Sequence, residues 1–196
     1  MGLRDEIFEQ PQVLKDLLTN QREKIEGIAA SLKREDIRFI FLAARGTSDH
    51  AGLFLKYLFG NHNQMPVALA APSMFSIYET PPKLDNALVI AISQSGMSPD
   101  IVRVVEEGKR QGASTLVITN NPASPLAQAA DYVIDVMAGE EKAVAATKSY
   151  TAQLMVVAML STALSDNEEY KAQLEAVPEY IQSALEQEKS ICTGVE

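Results

Sequence analysis

The run Ala87-Leu88-Val89-Ile90-Ala91-Ile92 constrains this chain more than any other stretch. Six apolar residues in a row, rich in β-branched types, suit a strand covered on both faces, because a half-exposed strand would alternate with polar residues. Strands of that kind occur in parallel sheets with helices on either side. Directly after it comes Ser93-Gln94-Ser95-Gly96-Met97-Ser98-Pro99-Asp100. Pro99 suits a first helical position, Asp100 a first turn, and Ser98 stands where an N-cap would be. A buried strand therefore feeds a helix through a turn holding three serines, a glutamine and a glycine. A helix N-terminus carries unpaired N–H groups and about half a positive charge. Hydroxyls gathered there, beside a glycine that lets the backbone approach closely, form a cradle for an anion, with phosphate the usual occupant. The plainer alternative is a serine-rich turn that only caps the helix.

The rest of the chain repeats the pattern. Further strands are expected at 37–43, 67–71, 114–118 and 131–136, each bounded by turn residues. Val13, Leu14, Leu17, Leu18, Ile25, Ile28, Ala29 and Leu32 form one apolar stripe, which predicts a single long helix within residues 1–34, packed on the domain or on a partner. Pro81-Pro82 argues against helix between Pro72 and Asp85. Thr151 to Leu164 reads as a core helix that must be covered on every side, and 166–196 as a closing segment with a polar helix to about Lys189. Strands alternating with helices over 196 residues predict one domain, 1–196. Its fold class is α/β, a three-layer α/β/α sandwich around a five-stranded parallel sheet. With the strand order 2-1-3-4-5, the ligand crevice lies between strands one and three. The turn Ala44-Arg45-Gly46-Thr47-Ser48 then faces the turn 93–98 across it.

A formal charge of −9 argues against nucleic acid or an acidic membrane as partner, and it leaves any bound anion to local dipoles and a few cations. The single cysteine, Cys192, excludes an intramolecular disulfide and fits a reducing cytoplasm; with no paired base it should be inert. Two histidines and one cysteine give no metal-ligand spacing, so no metal or cofactor is expected. The opening residues carry no apolar signal region, and the most apolar stretch is too short to span a membrane.

Four stretches together resemble the sugar isomerase (SIS) domain family, in particular the isomerase half of the glutamine–fructose-6-phosphate amidotransferases. They are Glu6-Ile7-Phe8-Glu9-Gln10-Pro11, Arg45-Gly46-Thr47-Ser48, Ser93-Gln94-Ser95-Gly96 and Val144-Ala145-Ala146-Thr147-Lys148-Ser149. The resemblance implies a phosphorylated sugar as ligand. It places Ser93, Gln94, Ser95 and Ser98 on the phosphate, and Thr47 and Ser48 on phosphate or sugar hydroxyls. The backbone at Val144 and the side chain at Ala146 would approach the sugar. Arg45, beside Gly46, stands where relatives have a small residue or cysteine and adds a cation; Met97 replaces an acid, and Ala146 lacks a frequent hydroxyl. In this family two such domains form one enzyme, whose base, ring-opening histidine and Schiff-base lysine come from the second domain and the C-terminal tail. The resemblance therefore implies a partner SIS domain, dimerisation, and a catalytic set that this chain does not complete.

Within the chain, three residues are candidates for proton transfer. His50 follows the first hydroxyl turn, and Glu140 and Glu141 precede the last one. The alternatives are a solvated helical turn for His50 and a solvated loop for the glutamates. Lys148 is placed either to neutralise the anion or to pair with Glu140. The expected function is sugar-phosphate binding in an isomerase, aminotransferase or deaminase acting on fructose 6-phosphate or glucosamine 6-phosphate; the rival is a non-catalytic sugar-phosphate sensor.

Overall fold

The computed structural model describes residues 2–188 of the 196. Five strands, β1 (Phe39–Ala44), β2 (Val67–Leu69), β3 (Ala87–Ser93), β4 (Ser114–Thr119) and β5 (Tyr132–Asp135), form one sheet in the order β2-β1-β3-β4-β5. Every pairing is parallel. The order and the all-parallel pairing are those expected from the sequence. The described helices are α1 (Leu3–Phe8), α2 (Gln10–Asn20), α3 (Arg22–Leu32), α4 (Thr47–His62), α5 (Ser73–Ser76), α6 (Pro99–Arg110), α7 (Pro125–Ala129), α8 (Lys148–Ser165) and α9 (Glu168–Glu186).

All seven residues of β3 are buried. Its register sets Leu88 beside Ile40 and Ile90 between Leu42 and Leu116, so like faces align across the sheet. Ile40, Leu42, Leu88, Ile90, Ile92, Leu116 and Ile118 enter one core, together with residues of α2, α3, α4 and α8. Phe41, Ala43, Val89, Ala91 and Val117 enter the other, with Phe75 of α5, Ile101, Val104 and Val105 of α6, and Leu126 of α7. α6 sits close on that face: a Cβ added at Gly108 would lie 2.7 Å from Cγ2 of Val89.

Three expectations change. The apolar stripe through Leu32 is not one helix, because turns at Glu9 and Gln21 divide the N-terminal segment into α1, α2 and α3. At the second break Gln21 is itself buried and donates from Nε2 to the sulfur of Met137, 3.1 Å away. A short helix, α5, forms directly after Pro72 in the connection read as irregular. Finally, α8 is covered by α2, α3, α4 and α9 of the same chain. A helix apolar nearly all round would, from sequence, argue for a homodimer through helices, but cover from its own chain removes that ground. Cys192 and the end of the helix expected to reach Lys189 lie outside the described residues.

Because α8 is wrapped by its own chain, truncating it should leave a cavity that neighbours fill only in part. Leu160, fully buried on α8, changed to Ala should cost about 2–5 kcal/mol in urea unfolding. The exposed Tyr180 changed to Ala should stay within about 0.5 kcal/mol of the parent.

Candidate functional site

A crevice of about 260 Å³ opens at the carboxyl ends of β1 and β3. It has three walls. The turn between β1 and α4 supplies Arg45, Thr47 and Ser48; the turn between β3 and α6 supplies Ser93, Gln94, Ser95 and Ser98. The third wall is the loop before α8 with that helix's first turns, through Val144, Ala146, Ser149, Tyr150 and Gln153.

The second wall is tightly pinned. Ser93 Oγ accepts from the Gly96 N–H at 3.1 Å, and Ser95 Oγ from the Met97 N–H at 3.3 Å. The Gln94 carbonyl accepts from the Asn120 N–H at 3.1 Å and from the Thr119 hydroxyl at 3.3 Å. Gly96 has φ +66°, and a Cβ there would stand 2.1 Å from Ser124 Oγ. Glycine is thus required at this position for both backbone conformation and space.

Ser98 is the N-cap residue of α6, but its side chain makes no capping bond; Gly46, the N-cap of α4, can offer none. Away from the crevice the chain does cap with side chains: Ser124 accepts from Ala127 N at the start of α7, and Asn167 accepts from Glu169 N and Tyr170 N at the start of α9. The helix ends at the crevice, α4 and α6, have no side-chain cap, a state they share with α1, α2, α3, α5 and α8. A free anion is what such ends attract.

The third helix end is satisfied differently. Glu141 accepts from the Thr147 N–H at 2.8 Å, from the Ser149 N–H and Thr147 hydroxyl at 3.2 Å, and from the Ser149 hydroxyl. Burial pushes its carboxyl up, but the donors from Ser149 and Thr147 outweigh that and hold it below the usual glutamate range. Two more carboxylates fasten the same loop from the N-terminal segment. Glu6, fully buried, accepts from the N–H groups of Lys142 at 2.6 Å and Ala143 at 3.2 Å. Glu9 pairs with the buried Lys148 at 2.6 Å.

The structure brings together Arg45, Thr47, Ser48, Ser93, Gln94, Ser95, Ser98, Val144 and Ala146 on one crevice. Gly46 shapes the first turn with φ +57° and is not part of the lining. Lys148 neither lines the crevice nor pairs with Glu140; burial turns it to Glu9. Glu140 is exposed and pairs with Lys142 at 3.3 Å. His50 is exposed in the first turn of α4, outside the lining. Glu141 is no solvated loop residue, and a carboxylate so fully hydrogen-bonded and held ionised is a poor acceptor for a carbon-bound proton. Arg45 bonds Asp100 at 2.7 Å at the crevice mouth. Ser149, Tyr150 and Gln153 were not among the site residues expected from the sequence; Gln153 follows Ser149 by four residues and Tyr150 by three, the helical spacing that places them on one face. Among the described residues no group of three or more histidine, cysteine, aspartate or glutamate residues is placed to hold a metal ion, and no helix is long and apolar enough to cross a membrane.

The fold and crevice define a class: a doubly wound α/β protein with a hydroxyl-lined, anion-suited crevice at the point where its strand order reverses. The chain belongs to the SIS domain family, whose profile matches residues 35–163. It is 33% identical over 201 residues to the glutamine–fructose-6-phosphate aminotransferase (isomerizing) of Clostridium acetobutylicum, covering 95% of this chain and 33% of that protein. Among solved structures, a provisional phosphosugar isomerase from Silicibacter pomeroyi superposes with a TM-score of 0.90 at 38% identity, over 92% of this chain and 55% of that one. The C-terminal domain of glucosamine–fructose-6-phosphate aminotransferase from Francisella tularensis superposes with a TM-score of 0.70 at 26% identity, over 92% of this chain and 52% of that one. This chain thus spans about a third of the curated relative and about half of each solved chain.

The lowered pKa of Glu141 ties the stability of the fold to pH. A carboxylate depressed in the folded state contributes stability that is complete above its unfolded value, about 4.3, and that is lost as pH falls through the lower folded value. Glu141→Gln should therefore melt below the parent at pH 7. The gap should narrow progressively below about pH 4, read from paired thermal melts across pH 3–7.

Proposed function

We propose that this chain binds a phosphorylated sugar of the fructose-6-phosphate or glucosamine-6-phosphate class in the crevice, as one SIS domain of a two-domain isomerase, aminotransferase or deaminase. One observation carries the reading: two helix N-termini without side-chain caps, with the Ser48, Ser93, Ser95 and Ser98 hydroxyls, converge at the switch point of the sheet. The names of the relatives, phosphosugar isomerase and fructose-6-phosphate aminotransferase, support the substrate class. Thermal melts test it. Fructose 6-phosphate and glucosamine 6-phosphate, at a hundredfold excess over their dissociation constants, should each add roughly 2.7 kcal/mol of stability, and unphosphorylated fructose should add none. Equal midpoints with all three at millimolar ligand would sink the reading. Ser98→Ala should leave the unliganded melt nearly unchanged, since its hydroxyl makes no cap bond. It should weaken phosphosugar binding by roughly 1.5–3 kcal/mol, the worth of a hydrogen bond to a charged group.

The placement of the acid–base candidates favours a binding role for this chain taken by itself. Moving a proton between C1 and C2 requires a base beside the carbon and stabilisation of the developing oxyanion. His50 and Glu140 lie outside the crevice, and Glu141 is committed to the loop. In this reading a second domain or copy contributes the groups that turn substrate over. Proton NMR of fructose 6-phosphate in D2O with the chain alone should show binding without exchange at C1. Exchange at about 1 s⁻¹ or faster, within the ordinary enzyme range, would make the single domain a complete enzyme.

A further inference from the structure

Helix α1 buries one residue, and that residue is charged. Glu6 is fully buried, while Leu3 and Phe8 of the same helix are exposed and no residue of α1 enters either core. A helix usually docks by an apolar face, and a glutamate is almost never fully buried unless its charge is met. Backbone donors meet it here. Oε1 accepts from the Lys142 N–H at 2.6 Å and the Ala143 N–H at 3.2 Å, and Oε2 from the Ala143 N–H at 3.2 Å. Taking a carboxylate out of water costs the fold unless such bonds replace the lost hydration. The apolar cores therefore do not account for where Glu6 sits.

What the carboxylate reaches does account for it. Lys142 and Ala143 lead directly into Val144 and Ala146, the loop residues that line the crevice. The far end of that span is fixed by Glu141, through the N–H groups of Thr147 and Ser149. Residues 144–146 thus hang between two carboxylate anchors, one within the loop and one 136 residues away in the chain. Val144 and Ala145 are exposed, so little apolar burial holds the span between the anchors. The walls suited to a phosphate, the turns before α4 and α6, belong to other elements.

Resting on the phosphosugar reading above, we infer that Glu6 is a positioning residue for the sugar part of the ligand. Its carboxylate holds Lys142 and Ala143 so that Val144 and Ala146 stand against the carbon skeleton, while the phosphate end is held without it. Loop order and sugar binding are then linked. A loop that keeps the binding geometry only about a tenth of the time binds about tenfold more weakly. By the same linkage, bound sugar favours the held loop.

Isothermal titration calorimetry on the 196-residue chain tests this with inorganic phosphate, fructose 6-phosphate and glucosamine 6-phosphate as probes. The variants are Glu6→Ala, which removes the anchor, and Glu6→Gln, which keeps one acceptor oxygen but turns an amide N–H toward a backbone donor. Glu6→Ala should bind both sugar phosphates about tenfold more weakly, and Glu6→Gln about threefold, with inorganic phosphate within twofold of the parent in each. Amide hydrogen exchange read by NMR gives the second readout. The Lys142 and Ala143 N–H groups should exchange faster in Glu6→Ala than in the parent, and fructose 6-phosphate should slow them in the parent. Sugar phosphates that stay within twofold of the parent in Glu6→Ala overturn the assignment, and Glu6→Gln is judged by the same limit if the alanine variant does not fold. A proportional loss for all three probes also overturns it, since Glu6 would then support the whole crevice and not its sugar side. A parent chain that binds none of the three overturns the phosphosugar reading itself, an outcome distinct from either of those.

Discussion

Burial of β3 on both faces is the constraint from which the rest of the architecture follows. A strand with seven buried residues needs a partner on each edge and helices above and below. Parallel neighbours put every strand's carboxyl end at the same edge of the sheet, and the right-handed crossovers that join them decide which face each helix covers. β1 and β3 are adjacent, yet the helix after β1 packs in one core and the helix after β3 in the other. The two turns must therefore diverge, and the gap between them is the crevice. The site is a geometric consequence of the sheet, and the hydroxyls of 47–48 and 93–98 are what chemistry adds to it.

The third wall has a different origin, because no strand delivers it. The loop before α8 is held by carboxylates: Glu141 from within, Glu6 and Glu9 from the N-terminal segment more than 130 residues away in the chain. Taking the Lys148 ammonium out of water to meet the half-buried Glu9 is costly, so the pair is weak evidence for stability. What it and the Glu6 bonds do is fix one loop geometry among many, since the loop carries few apolar anchors of its own and Val144 is fully exposed. The N-terminal helices thus act on the site without touching the crevice.

The sequence made the sheet legible because its signal is local: a continuous apolar run means two covered faces, and strand limits moved by only one or two residues at most ends. The two hydroxyl turns were legible for the same reason. What failed depended on distant partners. At the break, the buried Gln21 contacts Met137, 116 residues further on, which no helical periodicity announces. Lys148 stands in a stretch that otherwise lines the crevice, but a glutamate 139 residues away claims its side chain. Gln153 lies inside the apolar stretch read as pure core, where one amide among Leu154, Val156 and Val157 carries no periodic signature. A helix buried nearly all round looks the same in sequence whether its own chain or a second copy covers it.

The electrostatics of the crevice turn on distance. A net charge of −9 opposes an incoming anion, yet charges beyond about 8 Å are largely screened at physiological ionic strength. An anion seated in the crevice would meet the α4 and α6 N-termini at contact, where about half a positive charge each is unscreened. The one cation in the lining, Arg45, is engaged with Asp100, which sits in the first turn of α6. That acid would otherwise add its favourable charge to the same helix end that the phosphate would occupy. Pairing with Arg45 offsets the competing negative charge. The Arg45–Asp100 pair carries no net charge, which would leave the backbone N–H groups as the source of attraction for an anion in the crevice.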